Sequence, residues 1–141
     1  MTKPPPLHVS VIAAVAAGGV AGAVLRYVLT VAFPDSTTGF PWTIFAVNVL
    51  GCFTLALLPH LRFVRRHALL PPLLGTGVLG GFTTLSTYAE QSRALVQSGH
   101  AGTATAYVVG TLVVCLAAVV LAERFTSAVQ RGRFAKGGGD L

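Results

Sequence analysis

The chain has 141 residues, of which 53% are hydrophobic and 10% charged, and its mean hydropathy is +0.73. Soluble domains carry about a quarter charged residues, so a soluble globular fold is excluded and a membrane protein is indicated. A formal charge of +6 would suggest nucleic acid in a soluble protein. Here the basic residues cluster at the ends of apolar stretches, where they orient a chain in a bilayer.

About 20 apolar residues cross a bilayer core, and four stretches meet that length. The expected organisation is an N-terminal arm over residues 1–7, a four-helix transmembrane domain over 8–123 and a flexible basic tail over 124–141. Pro4, Pro5 and Pro6 mark the arm. The first span is expected from His8 to Phe33. Lys3 and Ala14-Val15-Ala16 imitate a secretory signal, but hydrophobicity runs well past that point, which argues for a retained helix. Gly18, Gly19, Gly22 and Ala23 form a small-residue face, and the Gly18-x-x-x-Gly22 spacing admits a close helix neighbour. Arg26 is the one charge in this span. Beside Tyr27 it reads first as snorkelling to an interface, and otherwise as an anchor at a pore mouth or subunit contact.

Pro34, Asp35, Ser36 and Gly39 punctuate a turn. The second span is expected from Pro41 to Leu61. Its one strongly polar interior residue is Asn48, suited to bonding a neighbouring helix or to offering an amide N–H to an anion. A basic loop follows with Arg62, Arg65, Arg66 and His67. The third span, Leu69 to Val96, is built to break: Gly75, Gly77, Gly80 and Gly81 loosen it, and Thr83, Thr84, Ser86, Thr87 and Tyr88 then crowd into six positions. In hydrocarbon a freed backbone group is tolerated only when buried in protein or lining a wet cavity. A helix broken mid-membrane is therefore a candidate binding or conduction site.

Gln97 to Gly102 connects to the fourth span, Thr103 to Ala122. Tyr107, Thr111 and Cys115 fall four apart on one face, a weakly polar stripe. It either bonds the preceding turn or lines a water-accessible track. Cys52 and Cys115 read as small buried hydrophobes, not as a disulfide or a metal site. With four spans, Lys3, Arg62, Arg65, Arg66, Arg124, Arg131, Arg133 and Lys136 share one side, eight of the ten Lys and Arg. Arg26 and Arg93 lie at span ends toward the other side. The bias predicts both termini in the cytoplasm of a multi-pass plasma-membrane protein.

These motifs resemble the CrcB/Fluc fluoride channel family. Gly19-Val-Ala-Gly22-Ala23-Val-Leu-Arg26-Tyr27 is similar to its first-helix signature, Asn48-Val-Leu-Gly51-Cys-Phe53 to its second, and Gly80-Gly81-Phe82-Thr83-Thr84-Leu85-Ser86-Thr87-Tyr88 to its third. The Tyr107, Thr111, Cys115 spacing is similar to its fourth-helix hydroxyl track. The resemblance runs from about residue 10 to 123. It implies an antiparallel dimer with two narrow pores that pass fluoride outward, without an enzymatic reaction. It further implies a structural sodium ion at the dimer interface, held by the backbone carbonyls of Gly80 and Thr83. Asn48, Thr84, Ser86, Thr87, Tyr88, Tyr107 and Thr111 would line the pore, with Arg26 at its mouth or in a structural role.

Two positions depart from the pattern. Leu85 stands where a Phe ring is expected, and Tyr88 where a second is. Leu lacks the electropositive ring edge that can meet an anion. Cys115 replaces a hydroxyl, and Glu90 lies just past the motif with no role assigned. An antiparallel homodimer must insert both ways, which a strong charge bias opposes. Half of an antiparallel heterodimer with an oppositely biased homologue is therefore expected. A non-conducting partner subunit is one alternative. A small multidrug transporter is another, disfavoured because the first span holds no Asp or Glu to exchange protons. Expressed alone with a tag at each end, the chain is expected to show both tags on the cytoplasmic side in accessibility labelling. An even split between orientations would sink the heterodimer expectation.

Overall fold

The computed structural model describes residues 8–137, with side chains as far as Ser127; the proline-rich arm and the last four residues lie outside it. Helix α1 spans Val9–Ala32, and α2 spans Trp42–Leu57, prolonged by a 3₁₀ turn over Leu58–His60. The basic loop carries a short helix, α3, over Arg62–Arg66. A π-helical segment, Pro72–Leu79, leads into the single turn α4, Gly80–Phe82. Helix α5 spans Leu85–Gln97 and α6 spans Ala101–Gly137. There is no strand among the described residues.

Among the described residues, three helical stretches are long and apolar enough to cross a membrane: Val9–Ala32, Trp42–His60 and Ala101–Ser127. The glycine-rich stretch has no single helix of that length. Thr83 (φ −74°, ψ 156°) and Thr84 (φ −148°, ψ 122°) are both extended, so α4 stops and α5 starts afresh. Upstream, Pro71 and Pro72 remove two N–H donors, and the amide of Gly80 reaches back five residues to the Gly75 carbonyl. The wider π turn absorbs what an α-helix could not bond.

The last helix also departs from expectation. It does not end near Ala122 in a flexible tail but continues to Gly137 among the described residues. Extending an existing helix avoids the costly nucleation step, and Ala122-Glu123-Arg124 keeps good helix formers at the junction.

The interruption divides the packing. The π segment and α4 lie along α1, whereas α5 lies along α6, and α6 also packs on α2. Ile44, Leu95, Ala104 and Tyr107 form a buried cluster, ringed by Phe40, Phe45 and Tyr88. The Phe40 ring meets Phe45 and Tyr107 nearly edge-on, at centroid distances of 5.3 Å in both cases. Between α5 and α6 the chain turns through Gly99 at φ +83°, a left-handed conformation suited to glycine, and the His100 amide closes the turn on the Leu95 carbonyl at 2.8 Å. Outward, Val24, Val28, Leu112 and Leu116 are each more than half exposed, an apolar surface that a bilayer can cover.

The small-residue face of α1 has a clear purpose. Gly18 and Gly22 are buried against the π segment, and a Cβ at Gly22 would run into the Val78 carbonyl and come within 2.8 Å of the Phe82 nitrogen. A Cβ at Gly19 would meet nothing. Gly22→Ala is expected to force the two backbones apart and cost about 1–3 kcal/mol. Gly19→Ala should be near neutral, both read as shifts in the unfolding midpoint of the detergent-solubilised protein.

Candidate functional site

A helix that stops and restarts leaves backbone groups without partners. At the break, one side chain from another helix supplies two of them. The Asn48 Oδ1 on α2 accepts from the Thr84 amide at 2.9 Å, and its Nδ2 donates to the Thr84 carbonyl at 3.2 Å. The carboxamide thus takes both the N–H and the C=O of one residue, which belong to successive peptide groups, and keeps a second N–H on Nδ2. Gly51, one turn further along α2, permits the approach: a Cβ there would collide with the Thr83 methyl.

The hydroxyls complete the restart. Thr84 caps α5, its Oγ1 accepting from the Thr87 amide at 3.1 Å, donating to Thr87 Oγ1 at 3.1 Å and lying 3.2 Å from Ser86 Oγ. Thr83 turns its hydroxyl back to the Leu79 carbonyl at 2.9 Å. These bonds redirect donors. The Thr84 amide serves Asn48 instead of the Gly80 carbonyl four residues back, and the Thr87 amide serves Thr84 Oγ1 instead of the Thr83 carbonyl. Gly80 and Thr83 therefore each lose the donor a continuous helix would give them. Uncharged, sterically free carbonyl oxygens of this kind suit a hard cation.

A cavity of about 370 Å³ opens at the break. Asn48, Gly80, Thr83, Thr84, Tyr88 and Thr111 line it, among apolar residues that include Leu79 and Leu112. Thr111 is 6% exposed, and its Oγ1 is the buried side-chain polar atom that has no partner among the described residues. A buried hydroxyl of that kind calls for a water or a ligand.

Other sequence candidates fall elsewhere. Ser86 and Thr87 belong to the cap of α5 and do not line the cavity. Tyr107 is fully buried in the aromatic cluster and donates to Gln91 Oε1 at 2.9 Å, so it stands behind the site. Its ring lies 5.1 Å from that of Tyr88, whose hydroxyl donates to the Val108 carbonyl at 3.1 Å. Arg26 donates from its Nε to the Gly81 carbonyl at 3.3 Å, bracing α4 from the α1 side. Leu85 sits on the cavity rim and is 78% exposed. Glu90 pairs with Arg93 at 2.6 Å on the surface and takes no part in the cavity.

Residues 13–123 match the family described as CrcB-like protein, Camphor Resistance (CrcB). The chain belongs to the CrcB family. It is 43% identical over 119 residues to "Fluoride-specific ion channel FluC 2" of Nocardia farcinica, covering 83% of this chain and 85% of the relative. It is 46% identical over 114 residues to "Fluoride-specific ion channel FluC 1" of Streptomyces coelicolor, covering 79% and 74%. To "Fluoride-specific ion channel FluC" of Prosthecochloris aestuarii it is 43% identical over 108 residues, covering 74% and 83%. As a CrcB chain with three apolar spans it is a membrane protein.

Some of the site had no sequence signal. Gln91 carries no such signal and Asp35 reads only as turn punctuation, yet Gln91 bridges Tyr107 and Asp35 while Asp35 Oδ1 accepts from the Thr43 amide at 2.9 Å. Cys52 also lines the cavity, as does Cys115.

Removing the Asn48 clasp should expose its worth. Asn48→Ala leaves the Thr84 amide and carbonyl unpaired in apolar surroundings, at about 1–3 kcal/mol each. The expected result is a clearly lowered unfolding midpoint and faster hydrogen exchange at Thr84. Unchanged exchange there would show that the clasp does not hold the break.

Proposed function

We propose that this CrcB chain is a subunit of a fluoride-specific channel that lets fluoride leave the cytoplasm passively, lowering its toxicity. The observation that carries the reading is the cavity at the break, whose lining includes Thr111, with its unpartnered hydroxyl, and Asn48, with an N–H to spare. The relatives' printed names support fluoride as the ion. A small anion gives up water at a constriction only where fixed donors replace it. Amide and hydroxyl donors do so without a fixed charge that would hold the ion too tightly. No step of this function needs an enzymatic reaction.

In this reading the interrupted stretch is a fourth crossing, broken at membrane depth, and two copies of the fold meet antiparallel along it. The proposed pore wall comprises Asn48, Thr84, Tyr88 and Thr111, with Ser86, Thr87 and Tyr107 fixing the shape behind it and Arg26 bracing the break. The carbonyls of Gly80 and Thr83, released from their helical donors, would hold a structural sodium ion, which supplies positive charge between the subunits. The strong Lys/Arg bias favours cytoplasmic termini and pairing with an oppositely oriented homologue over pairing with itself. The exposed Leu85, at the position of an expected ring, favours one second reading: this chain contributes scaffold while its partner supplies the conducting wall.

Thr111→Val separates function from folding. It removes the unpartnered hydroxyl at nearly constant volume, so stability should hold or rise. Losing a donor to a charged ion costs roughly 1.5–3 kcal/mol. Fluoride efflux from liposomes holding the assembled dimer is therefore expected to slow by about tenfold or more. Undiminished efflux would place the fluoride path outside this cavity, in agreement with the scaffold reading.

A further inference from the structure

Cys52 on α2 and Cys115 on α6 are 63 positions apart in the sequence, and neither has a His or acidic neighbour that would mark a ligand set. The fold brings them together. Both line the 370 Å³ cavity on helices that pack against each other, and both are free and partly buried. Each follows a proposed pore residue by one helical turn, Cys52 after Asn48 and Cys115 after Thr111. The pair thus sits in the same wall as the unpartnered hydroxyl.

We propose that Cys52 and Cys115 form a two-thiolate binding site for a soft, two-coordinate cation of the Cu(I), Ag(I) or Hg(II) class, inside the cavity at the helix break. Three features select this chemistry. Thiolates prefer soft cations. No third His, Cys, Asp or Glu joins the pair among the described residues, so a tetrahedral ion such as Zn²⁺ finds too few ligands. The space beside the thiols is ample for one ion. Binding breaks two S–H bonds, forms two metal–sulfur bonds and releases two protons, with no electron transferred. Because thiols must lose protons, affinity rises with pH. An ion held here would also lie beside the Asn48 and Thr111 donors and obstruct any anion passing them. That last consequence rests on the channel reading above, whereas the site itself does not.

The experiment titrates the reduced, assembled protein in detergent with Hg(II). It follows thiolate-to-mercury charge-transfer absorption, bound metal per chain, released protons and protection of the thiols from a small maleimide. One ion and two protons per chain are expected, with both thiols protected together. Each single variant, Cys52→Ala or Cys115→Ala, should bind at least about 100-fold more weakly, because the second ligand's effective concentration is lost. Cys52→Ser and Cys115→Ser repeat the comparison with a smaller change in size and polarity. Two ions per chain, unweakened single variants, no binding, or effective competition by Zn²⁺ would each overturn the site. Efflux from liposomes is read separately and normalised to each variant's own rate. Stoichiometric binding that blocks efflux supports both site and path. Stoichiometric binding without block keeps the site and removes this cavity from the conduction path.

Discussion

The structure depends on a backbone group that no helix can satisfy. Two consecutive extended residues, Thr83 and Thr84, interrupt the glycine-rich stretch, and the N–H and C=O of Thr84 would be left bare in an apolar setting. The Asn48 carboxamide answers both. In low-dielectric surroundings an unmet peptide group is costly, so this one side chain makes the interruption affordable. What depends on the interruption is considerable: it lets the upstream half pack along α1 and the downstream half along α6.

Close approach is the second requirement. The upstream half can reach α1 only because Gly18 and Gly22 present no side chain, and Asn48 can reach Thr84 only because Gly51 leaves room for the Thr83 methyl. Where apolar burial cannot drive helices together in lipid, backbone proximity and interhelical hydrogen bonds take over. The Arg26 contact to the Gly81 carbonyl works in the same way, a charged side chain used as a hydrogen-bond donor beside the break. Glycine here is a packing surface as well as a source of flexibility.

The site follows from the same geometry. Redirecting amide donors to Asn48 and Thr84 Oγ1 strips the carbonyls of Gly80 and Thr83 of their helical partners while opening a cavity lined by donors. Oxygens without helical donors thus come from the interruption itself, beside a cavity whose lining includes the unpartnered Thr111 on α6. Such oxygens suit a hard cation and a free hydroxyl a small anion. In the proposed channel reading, a structural cation and the ion path would lie side by side at the broken hydrogen-bond ladder.

Much of this was legible in the sequence. Apolar runs between basic segments located α1, α2 and the start of α6, because hydrocarbon demands length and composition that few other environments do. The crowding of glycines and hydroxyls located the break, since no continuous helix uses both so densely. Asn48 was visible as the one strongly polar residue in its span, with two roles open. Only the tertiary structure shows the first of them, giving its carbonyl and one N–H to Thr84 while a second N–H stays spare. Tertiary packing also bonded Arg26 to the Gly81 carbonyl, set Tyr107 behind the cavity, carried α6 to Gly137 and placed Cys52 and Cys115 in one cavity wall. The physical reason is range. Hydrophobic length and backbone propensity act on neighbours along the chain and can be read from it, whereas hydrogen-bond partners and cavity walls come from residues tens of positions apart, chosen by how helices pack.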